Sequence, residues 1–331
     1  MEREITGRAV VISDTHFGDP GALMTRADII EGFISELDEM GEIDLLVLLG
    51  DVWDLWRTRL AVAAAAGTAF FRELASWGGA REPIMVGGNH DYHVWSFHEE
   101  TRERREAGWE EARELSLVIG KDREGEGPVC AVEGVPLWLA YPFLVLDRGG
   151  GRALLMHGHH LDFFSRSFWW AKTAWLARLV LKGSCGIALS DIDRLNKPFF
   201  ELLTCTSRVP EISSWEYRFY GALRFIARLL RFQTKGVVSP RRFTSVEENT
   251  SEARELLLHL LPGYIPDLFV FGHTHNAGFG EVEAGNGSVL LANAGCWLDD
   301  SEEGTGMTYL VIDDRIRLRR LGGWEVERRA W

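Results

Sequence analysis

Five short polar clusters in this sequence carry side chains able to ligate metal ions: Asp14-x-His16, Gly50-Asp51-x-x-Asp54, Gly88-Asn89-His90-Asp91, His157 and Gly272-His273-x-His275. Singly, each is a common pattern. Together they supply carboxylate, imidazole and amide donors, a mixed set that suits Mn²⁺, Fe²⁺ or Zn²⁺ better than an all-oxygen magnesium site would. Two such ions about 3.5–4 Å apart can activate a shared water and clamp phosphoryl oxygens during in-line attack. An alternating His-x-His can send one imidazole to each ion. The chemistry these residues support is metal-assisted hydrolysis.

Each cluster follows a short apolar run that can carry it. Residues 9–13 (AVVIS) lead into Asp14, 45–49 (LLVLL) into Gly50 and Asp51, and 83–86 (PIMV) into the segment ending in Asp91. Residues 153–156 (ALLM) lead into His157 and 268–271 (LFVF) into Gly272 and His273. Continuous apolar runs mark strands buried on both faces, and open α/β sheets gather their chemistry just past strand C-termini. Glycines 50, 88 and 272 are expected to let the chain turn sharply there. Helical patterns at 26–40 and 61–77 separate the first three strands. Residues 129–132 and 135–140, around Glu133-Gly134, read as a hairpin, and 288–293, 307–313 and 316–320 read as further strands. The expected fold is α/β (α+β), two stacked β-sheets flanked by helices.

The formal net charge of −13 is unevenly spread. Residues 163–242 hold 14 Lys and Arg against 5 Asp and Glu, a net of +9, which leaves −22 elsewhere. This stretch has little strand pattern and falls between the fourth and fifth site-bearing strands. It is therefore expected to be a helical, basic and aromatic-rich cap inserted into a core formed by 1–162 and 243–331. Phe164, Phe168, Trp175 and Leu179 recur at helical spacing, as do Trp215, Phe219, Leu223, Ile226 and Leu230, with Arg218, Arg224, Arg228 and Arg231 between them. Such helices suit an anionic membrane surface; the plainer alternative is a helical cap or oligomer interface. The mixed-charge run at 99–114 reads as a solvated helix. Four scattered cysteines, Cys130, Cys185, Cys205 and Cys296, form no C-x-x-C pair, which argues against a disulfide scaffold or a cysteine zinc site. With no signal-peptide pattern at the N-terminus, the expected location is cytoplasmic, peripheral to the inner membrane face if the basic segment meets lipid.

The order of the clusters resembles that of the calcineurin-like metallophosphoesterases, D-x-H, G-D-x-x-D, G-N-H-[D/E], H and G-H-x-H. The resemblance covers about 8–160 and 265–300 and implies the family's four-layer sandwich of helices and two sheets. It also implies that Asp14, His16 and His275 bind one divalent ion, that Asn89, His157 and His273 bind the other, and that Asp51 bridges them. Mn²⁺ is the first choice, with Fe²⁺, Zn²⁺ and Mg²⁺ as alternatives. His90 is implied as the catalytic histidine; Asp91, grouped beside it at the catalytic position, and Asp54 read as carboxylates that orient the ligands and His90. His159 and His160 are left to contact substrate or face solvent, while His93, His98 and His259 read as structural or exposed. The segment from Asn293 to Trp297 is similar to the N-x-G-S-W of some members, with Cys296 in the Ser position.

The form Gly-Asp-Val-Trp53-Asp-Leu-Trp56 is similar to the branch containing UDP-2,3-diacylglucosamine pyrophosphatases, which also carries a helical insertion before its last motif. The chain departs from that branch at His90, where those enzymes typically have Arg. The expected substrate is a lipid-linked or nucleotide-linked pyrophosphate or phosphodiester, contacted by His159, Trp56, Arg224 and Arg228. The alternative is a nuclease, in which the basic segment tracks phosphates and its aromatics stack on bases. A non-catalytic scaffold has no reason to keep the whole ligand set.

Overall fold

The computed structural model describes residues 1–106, 118–119, 129–164, 189–206, 244–259, 261, 265–285, 287–299 and 306–330. Among these, one sheet runs β1 (Glu2–Glu4), β8 (Leu144–Arg148), β9 (Gly151–Leu155), β10 (Leu268–Phe271), β12 (Gly287–Asn293) and β11 (Gly278–Ala284). The other runs β15 (Trp324–Arg329), β14 (Ile316–Arg320), β13 (Thr308–Ile312), β2 (Ala9–Ile12), β3 (Ile43–Leu49), β4 (Ala80–Val86), β7 (Val135–Ala140), β6 (Val129–Val132) and β5 (Val118–Ile119). The helices are α1 (Ala27–Glu39), α2 (Leu60–Trp77), α3 (Tyr92–Glu106), α4 (Leu189–Thr206) and α5 (Thr250–His259).

Strand alternation explains the layering. Ala9, Val11, Leu45, Val47 and Leu49 point to the interior between the sheets, where they meet Leu144, Leu146, Ala153, Leu155, Leu268 and Val270 of the other sheet. Val10, Ile12, Leu46 and Leu48 point the other way and pack with Phe33 of α1 and Phe70, Phe71 and Leu74 of α2. On the far face of the smaller sheet, Leu154, Phe269 and Phe271 pack with Leu256 and Leu257 of α5 and with Leu189 and Ile192 of α4. Both faces of the central strands are covered, which is why they read as unbroken apolar runs.

Strands β2, β3, β4 and β7 are mutually parallel, and so are β9, β10 and β12. The site-bearing strands therefore end along one edge of the two sheets. Helix α2 stops at Gly78, whose left-handed φ of 60° lets its N–H reach Leu74 O at 3.1 Å. The hairpin between β6 and β7 turns at Glu133 and Gly134, with φ of 48° and 88°, the doubly positive pair a two-residue turn requires. Of the mixed-charge run, α3 takes in residues up to Glu106; 107–114 lie outside the described residues. Of the basic insertion, Phe163, Phe164 and 189–206 are described, and α4 lies on the core through Leu189, Ile192 and Phe200. Apart from Phe164, the residues of the two aromatic stripes, with Arg224 and Arg228, fall outside the described residues. Among the described residues no helix is long and apolar enough to cross a membrane.

Candidate dinuclear metal site

The loops after β2 and β3 run side by side, with Asp14 N–H bonded to Gly50 O at 3.1 Å and His16 N–H to Asp51 O at 2.9 Å. The residues that carry the chemistry have unusual backbone. Among the described residues, seven non-glycines have positive φ, and five of them are Asp14 (55°), His16 (47°), Asp51 (49°), His273 (61°) and His275 (57°). Left-handed backbone at such residues is uncommon and costly, and it collects where a site must aim side chains.

Gly50, at φ 77°, turns as the sequence reading expects. Gly88 and Gly272 instead provide clearance. A Cβ on Gly272 would collide with Ser13 Oγ and the Asp14 carboxylate, and one on Gly88 with the Asp51 carboxylate and its backbone nitrogen. Gly88→Ala is expected to destabilise the fold by about 1–3 kcal/mol, the usual cost of overpacking, and to push Asp51 out of place. Urea denaturation together with Mn²⁺ titration checks this; unchanged stability and metal affinity would refute it.

Asp14 Oδ1 faces His275 Nε2 at 3.1 Å and His16 Nε2 at 3.6 Å. Asp14 Oδ2 accepts the His273 N–H at 2.9 Å and lies 2.6 Å from Ser13 Oγ. Asp51 Oδ2 stands between two groups of side chains, 3.2 Å from His157 Nε2 and 3.7 Å from His16 Nε2, while Oδ1 accepts the His90 N–H at 2.8 Å. Asn89 Oδ1 lies 3.2 Å from His157 Nε2. His157 Nδ1 donates to Leu49 O at 3.0 Å, which turns Nε2 towards Asp51 and Asn89. Asp14, His16 and His275 bring ligand atoms within 4.8 Å of one another, and so do Asp51, His157 and His273.

Burial works against ionisation of Asp14 and Asp51. The histidines around them outweigh it, His275 and His157 beside Asp14 and His157 and His90 beside Asp51, and both carboxyls lie well below the usual range. Burial likewise opposes charge on His16, yet Asp14, Asp54 and Asp51 lift it to about 10. His157 rises to about 9 because Asp51 and Asp14 overcome its burial. This buried carboxylate cluster demands cations. Asp14 Oδ1 and both ring nitrogens of His16 are buried and face one another and His275, Asp51 and Asp54 without a well-aligned hydrogen bond. Carboxylate, imidazole and amide donors so arranged fit two borderline divalent ions.

His90 lies at the rim. Its Nδ1 is 2.8 Å from Asp54 Oδ1, and its ring is stacked on Trp56 at 4.1 Å between centroids. Burial pushes its pKa below the ordinary value despite the pull of Asp51 and Asp54. Asp54 Oδ2 faces Arg57 Nε at 3.3 Å and His16 Nδ1 at 3.5 Å. Both oxygens of Asp91 are engaged by backbone donors, Gly88 N–H at 2.7 Å and Val52 N–H at 2.6 Å. His159 is buried beside the cluster, its ring 5.6 Å from that of His157. His93 and His98 stand away from it, His93 on Glu201 Oε2 at 2.7 Å and His98 beside Trp95; the side chain of His259 lies outside the described residues.

Some residues that shape the site carry no motif signal of their own. Asp162 lies 3.0 Å from His273 Nε2, an arrangement that leaves Nδ1 for an ion. Ser13 holds the Asp14 carboxylate. Asn293, met in the sequence only through the resemblance, donates to Gly272 O at 2.8 Å and to Thr274 Oγ1 at 3.0 Å, fixing the last loop. Cys296 is buried, packed with Ala22 and Leu298.

The family model of the calcineurin-like phosphoesterases matches residues 7–189. The chain belongs to this family. It is thus a metal-dependent hydrolase of phosphoester bonds, and the family's dinuclear divalent centre agrees with the His and Asp groups just described. No curated protein matches the phosphoesterase by sequence. Among solved structures it is similar to a predicted phosphoesterase of Streptococcus pneumoniae TIGR4, with 12% identity over 98% of each chain and a TM-score of 0.33. It is also similar to a dimetal phosphatase of Danio rerio, with 13% identity over 98% of each chain and a TM-score of 0.39. A third is GAP50 of Plasmodium, with 12% identity over 98% of this chain and 87% of that one, and a TM-score of 0.42.

Proposed function

We propose that the phosphoesterase cleaves a pyrophosphate or phosphodiester bond in a lipid-linked or nucleotide-linked substrate, in the manner of the UDP-2,3-diacylglucosamine pyrophosphatase branch. Asp14, His16 and His275 would hold one ion and Asn89, His157 and His273 the other, with Asp51 between the two groups. Bound there, two divalent ions supply an activated water and neutralise phosphoryl charge. The observation that supports the substrate class is the aromatic wall beside His90. Trp56 stacks on the His90 imidazole at 4.1 Å, and Phe200 of α4 lies 5.6 Å from Trp56. These aromatics make the surroundings of His90 apolar, as a base or an acyl chain would require.

The chain's own residues divide the remaining work. Asp54 takes the Nδ1–H of His90 and, itself anchored by Arg57, turns Nε2 towards the Asp51 side of the site, 3.9 Å from Oδ2. When the ring carries a second proton, which its lowered pKa reserves for the acid side of the pH profile, His90 can hand that Nε2 proton to the departing oxygen. His90→Ala is expected to lower kcat by about 10²–10⁴-fold with a poor alkyl leaving group, and much less with p-nitrophenolate, which leaves without a proton. Equal turnover by variant and wild type on both substrates, with the metal content intact, would remove His90 from the mechanism.

The substrate class is tested with Mn²⁺-loaded protein, with and without anionic liposomes, against UDP-diacylglucosamine, CDP-activated lipids and single-stranded DNA. Cleavage of a lipid-linked pyrophosphate, abolished by Asp51→Asn, is the expected result. Cleavage of DNA with the lipids untouched would overturn it in favour of a nuclease.

A further inference from the structure

Beside the dinuclear cluster lies a second group of titratable side chains that the reaction above does not use. His159 and His160 stand together on the short 3-10 turn His159–Phe164 that follows β9, with ring centroids 4.0 Å apart. Asp193 reaches them from α4, its Oδ1 2.7 Å from His160 Nε2. One ligand atom from each of the three lies within 4.8 Å of the other two. His159 is only 4% exposed and His160 is fully buried. Three of their four ring nitrogens, both on His159 and Nδ1 on His160, have no hydrogen-bond partner among the described residues. Burying a polar group without a partner is costly, so three such nitrogens in one place call for a ligand.

We propose that His159, His160 and Asp193 form a third divalent-cation site, distinct from the dinuclear pair and suited to Zn²⁺ or a similar borderline ion. Two imidazoles and one carboxylate are a donor set that such ions accept with a further position left open; an ion that prefers an all-oxygen shell is a poor match. Bonds of about 2.0–2.1 Å in tetrahedral geometry keep ligand atoms about 3.3 Å apart. The His160–Asp193 contact must therefore open by about 0.6 Å and the His159 ring must close in.

Two further features fit. Tyr141 donates its hydroxyl to the same Asp193 Oδ1 at 2.7 Å, the kind of outer hydrogen bond that orients a ligating carboxylate. Asp193 also belongs to the helix that carries Phe200 to the aromatic wall, so an ion here would staple α4 to the turn after β9. The site is close to the dinuclear pair without sharing its ligands: the His159 ring lies 5.6 Å from His157 and 6.5 Å from His273. A plain hydrogen-bonded staple of His160, Asp193 and Tyr141 would account for those three residues and leave His159 without a role. The inference does not depend on which phosphoester is cleaved.

The test is metal stoichiometry. Full-length protein is equilibrated with Zn²⁺ by dialysis, and the zinc per chain is read by inductively coupled plasma mass spectrometry. Wild type is expected to hold three ions and Asp193→Ala two. Tyr141→Phe is expected to keep three while weakening the third about tenfold, the usual effect of losing an orienting contact. Two ions in both wild type and Asp193→Ala, or a third ion that survives Asp193→Ala, would overturn the proposal. If Asp193→Ala fails to fold, Tyr141→Phe decides: a third ion bound as tightly as in wild type would overturn it.

Discussion

Asp51→Asn is expected to lower kcat by at least about a thousandfold while keeping the backbone contact that holds the His90 loop. The first half follows from where the carboxylate stands. Asp51 Oδ2 is 3.2 Å from His157 Nε2 on one side and 3.7 Å from His16 Nε2 on the other, so it is the anion common to both groups of ligands. An amide there keeps the shape and removes the charge. Stabilisation of transition-state charge by bound ions amounts to several kcal/mol, and about 4 kcal/mol of it corresponds to a thousandfold in rate. The second half follows from the other oxygen. Oδ1 accepts the His90 N–H at 2.8 Å, and an asparagine carbonyl accepts it equally well. Turnover of a p-nitrophenyl phosphodiester, bound manganese and a urea melt are measured together. Full turnover by Asp51→Asn would remove Asp51 from the centre of the mechanism.

The parts of the fold that were legible in the sequence are those with one physical cause. Strands β2, β3, β9 and β10 are covered on both faces, so burial alone writes them as apolar runs, and their ends deliver Asp14, Asp51, His157 and His273 to one place. The hairpin at Glu133-Gly134 and helices α1 and α2 were legible for similarly local reasons. Strands β1 (ERE), β11 (GFGEVEA) and β15 (WEVERR) were not. They lie at the edges of their sheets, where a strand has one neighbour and water on much of its surface, so polar residues break the pattern. Strand β8 was also missed, a short run whose last residues, Asp147 and Arg148, are polar and only half-buried.

The site was legible in the residues the motifs single out and not in the side chains around them. Asp14, His16, Asp51, Asn89, His157, His273 and His275 announce themselves by spacing. Asp162, Asp193 and Tyr141 do not, because their relation to the histidines exists only after β9, β10 and α4 are brought together. The glycines show the same limit. Their presence in the motifs is visible in the sequence, but that Gly88 and Gly272 answer to clearance and Gly50 to φ depends on which side chains converge on them.

Asp91 separates motif from role, and its removal is expected to be felt in stability first. The sequence groups it with His90. In the fold it is fully buried, with Oδ1 on the Gly88 N–H at 2.7 Å and Oδ2 on the Val52 N–H at 2.6 Å. It thereby ties the loop after β4 to the loop after β3, the two loops that carry Asn89 and Asp51. Burial and the nearby charge of Asp51 push its pKa up to about 7, and the carboxyl accepts the two N–H groups in either protonation state. In Asp91→Ala two buried donors lose their acceptor, at about 1–3 kcal/mol each before the structure relaxes. A loss of about 3 kcal/mol in urea denaturation of the metal-free protein is therefore expected. Asp91→Asn turns an N–H donor towards one of the two backbone N–H groups and should lose a good part of the same stability. A variant at Asp91 that melts like wild type yet turns over a hundredfold more slowly would show instead that the carboxylate acts on His90 or the substrate.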